Sequence, residues 1–78
     1  MISAVQIKAA RALLEWTQPN LAAAAGVSIP TIVRMESAKG PGRSAAENVD
    51  AVKRALEDAG VIFLNADDQS GLGVRLKR

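Results

Sequence analysis

At 78 residues, 49% hydrophobic and without cysteine, the chain is long enough for one globular domain with a single core but not two, and tight helix packing or oligomerisation must replace disulfides as added stability. Its net charge of +2 says little about partners by size alone, but residues 1–43 carry five cations against two acids, whereas residues 44–60 carry two against four. Apolar runs far short of the ~20 residues of a membrane span argue against a membrane protein, the missing basic stretch ahead of the first helical pattern argues against a signal peptide, and the lack of cysteine fits a reducing compartment, so the chain reads as soluble and cytoplasmic.

Four helices can be placed from their caps. Ser3 with Gln6 makes an S-x-x-Q capping box, and Val5, Ile7, Ala10, Leu13 and Leu14 follow at helical spacing, which predicts a helix over about 4–15. Thr17 suits the N-cap of a second helix of about eight residues, with Pro19 tolerated in its first turn and Gly26 able to end it in a left-handed conformation. Ser28 caps a third, with Pro30 in its first turn; Ile32 and Met35 give it an inward face that Val33 could extend, and it should end near Ala38. Residues 39–43, from Lys39 through Gly40, Pro41 and Gly42 to Arg43, cannot continue a helix and read as an exposed basic loop. Ser44 and Glu47 form another capping box, and Val49, Val52 and Leu56 mark the buried stripe of a fourth helix ending at Gly60.

Beyond Gly60 the period changes. Val61, Ile62, Phe63 and Leu64 form a short apolar run, and Val74 to Lys77 alternate, so both read as strands joined by a polar, glycine-containing connection over 65–73. The fold class is therefore mainly α, four helices with a short C-terminal β-hairpin, organised as residues 1–60 and an extension over 61–78.

Residues 18–36 read QPNLAAAAGVSIPTIVRME. Leu21 and Ala22 point inward on one short helix, Gly26 makes the turn, Val27 plugs the gap, and Ile32 and Met35 point inward on the next, as two crossed short helices require. Any helical hairpin needs apolar spacing and a glycine turn, so these features alone do not decide function. The fuller pattern, Q-x-x-L-A-x-x-x-G-V-S-x-x-x-I-x-x-x-E, resembles the Cro-like, xenobiotic-response-element (XRE) family of helix-turn-helix regulators at every signature position, and the resemblance covers about residues 5–60. It implies a lambda-repressor-like DNA-binding domain and a transcriptional regulator, such as a repressor, with the recognition helix over 29–37 in the major groove of double-stranded DNA.

Carried over by position, Gln18 would contact phosphate or the groove edge, and Ser28, Ile29, Pro30, Thr31 and Arg34 would face the DNA. Arg34 can offer two parallel donors to guanine O6 and N7, and Thr31 a hydrogen bond or a methyl, whereas Ile29 and Pro30 offer only apolar contact, where family members often carry polar side chains. Cap geometry and packing explain Ile29 and Pro30 equally well. Lys39 and Arg43 fall where the family's loop grips phosphate, the alternative being a solvated loop charge. The resemblance also implies a structural ion pair between Arg11 and Glu36. Trp16 reads as core cover ahead of the second helix rather than a stacking residue, and Lys53 and Arg54 as an ordinary solvated face.

Such proteins usually work as dimers, and the tail could supply the joint: Val61, Ile62, Phe63, Leu64, Val74 and Leu76 could pair with a second copy in a four-stranded sheet, or fold back on the fourth helix of their own chain. Similar tails follow this motif in some short bacterial regulators. Catalysis is not expected, because histidine, cysteine and tyrosine are absent, no glycine-rich phosphate loop follows a strand, and Asp67 and Asp68 have no evident companion ligands. No cofactor or metal is expected. The rival is a protein-interaction module, antitoxin-like, that keeps the helical pair as scaffold.

Overall fold

The first three helices each begin where a side chain takes up an amide that a helix N-terminus leaves without a partner. Ser3 Oγ accepts from the Gln6 amide at 3.2 Å and Gln6 Oε1 from the Ser3 amide at 2.9 Å, a reciprocal box that opens α1 (Ala4–Leu14). Thr17 and Asn20 do the same for α2 (Gln18–Ala25), and Ser28 caps α3 (Ile29–Met35) through the Thr31 amide. The computed structural model describes residues 2–77, apart from the side chain of Arg43.

Left-handed residues make the two turns. Glu15 at φ 57° ends α1, and Gly26 at φ 71° ends α2. Gly26 meets this geometry without the Cβ conflict that a larger residue brings.

α3 ends at Met35, three residues before the expected stop. The reason is local: Ser37 donates both its amide and its hydroxyl to the Arg34 carbonyl, at 3.2 and 2.7 Å, which turns the chain out of the helix. The segment expected as an exposed basic loop contains a 3₁₀ turn over Pro41–Arg43 with Pro41 buried. That turn also overturns the capping box expected of Ser44 and Glu47. Ser44 lies extended at the end of the 3₁₀ turn, its amide held by the Pro41 carbonyl, so α4 (Ala46–Asp58) starts one residue later with Ala45 at the cap and no side-chain cap bond.

One core joins all the elements. Ile2, Ile7, Ala10, Leu21, Ala22, Ile32, Met35, Val49, Val52, Leu56 and Val61 are buried together, with Leu14, Trp16 and Val27 packed at the edge. Each large aliphatic side chain so enclosed contributes roughly 1.5–3 kcal/mol. Val5 and Leu13, expected within the inward stripe of α1, are instead 70% and 43% exposed, since Gln6, Ile7 and Ala10 are the residues of that helix that face the core.

β1 (Val61–Leu64) pairs antiparallel with β2 (Gly73–Leu76), Val61 opposite Leu76 and Phe63 opposite Val74. These four side chains share one sheet face and pack on the helical core, while Ile62, Leu64 and Arg75 project from the other. Gln6 clasps the hairpin: its Nε2 donates to the carbonyls of Leu64 at 3.2 Å and Gly73 at 3.1 Å. Among the described residues no helix is long and apolar enough to cross a membrane.

Candidate nucleic-acid interface

The geometry of α3 follows from what it buries. Thr31, Ile32 and Met35 face the core, held there by α2, which packs on α3 and α4. With about 100° between successive helical residues, the opposite side must carry Ile29, Pro30, Val33 and Arg34. All four are exposed, Ile29 at 45% and Val33 at 48%. Val33 was the residue that could have extended the inward face; it points away from it.

Two of the residues expected to face DNA are committed elsewhere. Ser28 Oγ accepts from the Thr31 amide and shares a 2.8 Å hydrogen bond with Thr31 Oγ1, and Thr31 itself is buried. Arg34 Nη2 donates to the same Thr31 oxygen at 3.3 Å, so the threonine holds the arginine from behind rather than standing free beside it. The outward polar chemistry of α3 is thus the remaining donors of Arg34.

Gln18, at the start of α2, is half-buried and donates through Nε2 to Glu36 Oε1 at 3.1 Å. Glu36 is the centre of a small network. Arg11 grips it two-pronged, Nε to Oε2 at 2.6 Å and Nη2 to Oε1 at 2.8 Å, while Arg11 Nη1 donates to the Trp16 carbonyl at 3.0 Å. The hydrogen bonds it donates to Glu36 hold the Arg11 guanidinium in its charged form more firmly than usual, against the opposing effect of burial. α1, the start of α2 and the end of α3 are tied together at this point.

Beyond α3 lies an open cleft of about 610 Å³, lined by Arg34, Ser37, Lys39, Ser44, Ala45 and Asn48. It brings two cations, two hydroxyls and an amide to the uncapped start of α4. Lys39 is therefore brought beside Arg34, whereas the side chain of Arg43, expected to join them, lies outside the described residues. Ser37 and Asn48 were not singled out from sequence, and Val33 was read only as a residue that could extend the inward face. A helical projection of residues 29–35 carries the signal for Val33; Asn48 reaches the cleft because α4, packed on α2, begins across it from the end of α3. Lys53 is half-buried, and Arg54 sits on the surface of α4 with Asp50 at 3.5 Å.

The residues expected to join two copies divide between the faces of the hairpin. Val61, Phe63, Val74 and Leu76 are used by the core of their own chain, which leaves Ile62 and Leu64 on the outer face, with Leu72 exposed in the connection. A separate apolar groove runs between α1 and β2, lined by Val5, Ala9, Leu72 and Val74. Among the described residues no group of three or more His, Cys, Asp or Glu is arranged to hold a metal ion.

No protein-family model matches the chain, and no curated protein matches it.

Proposed function

We propose that the protein is a sequence-specific DNA-binding regulator of the XRE type, a lambda-repressor-like domain that lays α3 in the major groove of double-stranded DNA and acts as a homodimer. The observation that carries this is the outward arc of α3, where Ile29, Pro30, Val33 and Arg34 stand exposed beside a cleft containing Lys39. Arg34 is the base-reading side chain, because its guanidinium can pair with guanine O6 and N7. Lys39, with the cleft around it, grips phosphate and sets position without reading sequence. The Arg11–Glu36–Gln18 network fixes the helices relative to one another and takes no part in catalysis; the protein is not an enzyme.

A dimer spaces two copies of α3 about 34 Å apart, one turn of DNA. The outer face of the hairpin, with Ile62, Leu64 and the neighbouring Leu72, supplies the joint. Deleting residues 61–78 would remove core residue Val61 as well, so the dimer is better tested by Leu64→Lys and Leu72→Lys, with sedimentation at tens of micromolar as the measurement.

One observation favours a protein-interaction module instead: three of the four exposed side chains on α3 are apolar. Salt separates the two. A chain making Z phosphate contacts loses affinity with a log–log slope of about −0.9Z, whereas an apolar protein interface responds weakly. Selection of bound sequences from random duplexes at fixed salt tests the DNA reading directly; enrichment of a symmetric half-site supports it, and no enrichment sinks it.

A further inference from the structure

The base-facing side of α3 is short of polar groups. The Ser28 hydroxyl is spent on the cap and on Thr31, and Thr31 is buried and holds Arg34. Pro30 has neither a side-chain donor nor a backbone N–H. What remains is Arg34 at one edge of the arc and the Ile29–Val33 pair at the other.

In the major groove the base edges present hydrogen-bond donors and acceptors, which an aliphatic side chain leaves unpaired on losing water, and one apolar group, the C5-methyl of thymine. Ile29 and Val33 stand one helical turn apart, about 6 Å along the axis, which is within two base steps of ~3.4 Å. Arg34 on the same exposed arc, and Lys39 in the cleft that Arg34 lines, suit a polyanion that carries methyl groups. Three aliphatic side chains fall well short of the ~800 Å² per partner of a stable protein interface.

We infer that Ile29 and Val33 form a methyl-reading stripe, so that the preferred half-site carries one or two thymines, or another 5-methylated pyrimidine, next to a guanine bound by Arg34. Val33 is thereby a specificity-determining residue. This rests on the DNA-binding reading above and deepens it.

The test starts from a duplex selected with the full-length chain. Its thymines are replaced one at a time by deoxyuridine, which removes only the methyl group. Loss of about fourfold in affinity is expected at one or two positions, the worth of one buried methyl-sized group. In Val33→Ala and Ile29→Ala, each checked for an unchanged melting curve, thymine and deoxyuridine should bind alike at the position that each residue reads. 5-Methylcytosine should restore the methyl contribution relative to cytosine there. If the selected duplex binds specifically yet every deoxyuridine duplex matches its parent, the methyl stripe is overturned and the DNA reading stands. If no duplex is enriched at all, both fall, and the apolar arc belongs to a protein partner.

Discussion

Arg11 and Glu36, 25 residues apart in sequence, meet through two charge-assisted hydrogen bonds of 2.6 and 2.8 Å. The Glu36 side chain is almost fully buried and the Arg11 side chain is one-fifth exposed. Losing one partner of such a pair leaves a charge in a poor solvent. Glu36→Ala should therefore lower unfolding stability in urea by about 3 kcal/mol, the lower end of the range for buried pairs because Arg11 keeps some access to water. Replacing both by methionine should recover part of the loss. The pH dependence has a fixed sign. The folded value of Arg11 is raised, so its contribution is complete below the unfolded value and is lost only as pH rises through the folded one. The gap between parent and Arg11→Met should stay constant from pH 6 to 10; a gap that closes by pH 10 would contradict the pairing.

Gln6 is the next point of dependence. Its buried side chain accepts from Ser3 and donates to two hairpin carbonyls 58 and 67 residues away. Gln6→Ala should cost about 1–3 kcal/mol, the penalty for buried polar groups left unpaired. The amides of residues 61–64 and 73–76 should then exchange faster than those of α4. Gln6→Glu should be worse, since it sets a carboxylate against two carbonyl oxygens. Uniform acceleration across the whole chain would show that the clasp has no local role.

Arg34 and Lys39 should separate in DNA binding. Arg34→Ala should relax preference at one base position by about 1–3 kcal/mol, whereas Lys39→Ala should weaken all duplexes alike and reduce the salt slope by about 1. Binding curves on selected and scrambled duplexes at several salt concentrations measure both. Thr31→Val should fall between them, because it removes the oxygen that holds Arg34 while filling the same space.

The hairpin connection carries an acid-sensitive turn. Asp67 Oδ1 accepts from the amides of Gln69 at 2.8 Å and Ser70 at 2.7 Å, and these bonds hold its carboxyl below the ordinary aspartate value of 3.8. The stabilisation is present above the unfolded value and lost as pH falls through the folded one. The amide resonances of Gln69 and Ser70 should shift together with a midpoint below 3.8, and Asp67→Asn should abolish that titration. A midpoint at or above 3.8 would rule the turn out as the cause.

Local chemistry explains what could be read from the chain before its fold. Ser3, Thr17 and Ser28 announce three helix starts because a cap is made within three residues of itself, and Gly26 marks a turn because few other residues adopt its backbone angles at no cost. Ser44 failed as a signal for a reason equally local but less visible: a 3₁₀ turn used its amide first and moved the start of α4 by one residue. Thr17 with Asn20 was half legible, since the asparagine stands outside the usual Glu or Gln rule.

The sequence by itself thus determined the element order, three of the four helix N-caps and most of the core, because these depend on contacts within a helical turn or on the spacing of apolar residues. The family resemblance also implied that Arg11 and Glu36 meet, but only packing could establish the 2.6 Å contact and recruit Gln18 and the Trp16 carbonyl to it. The tertiary structure decided which residues remain free to act. It buried Thr31 and exposed Val33, turned Val61, Phe63, Val74 and Leu76 into the core of their own chain, and brought Asn48 beside Arg34 and Lys39. Those outcomes depend on which face of each element its neighbours cover, a property of the assembled fold that no single segment carries.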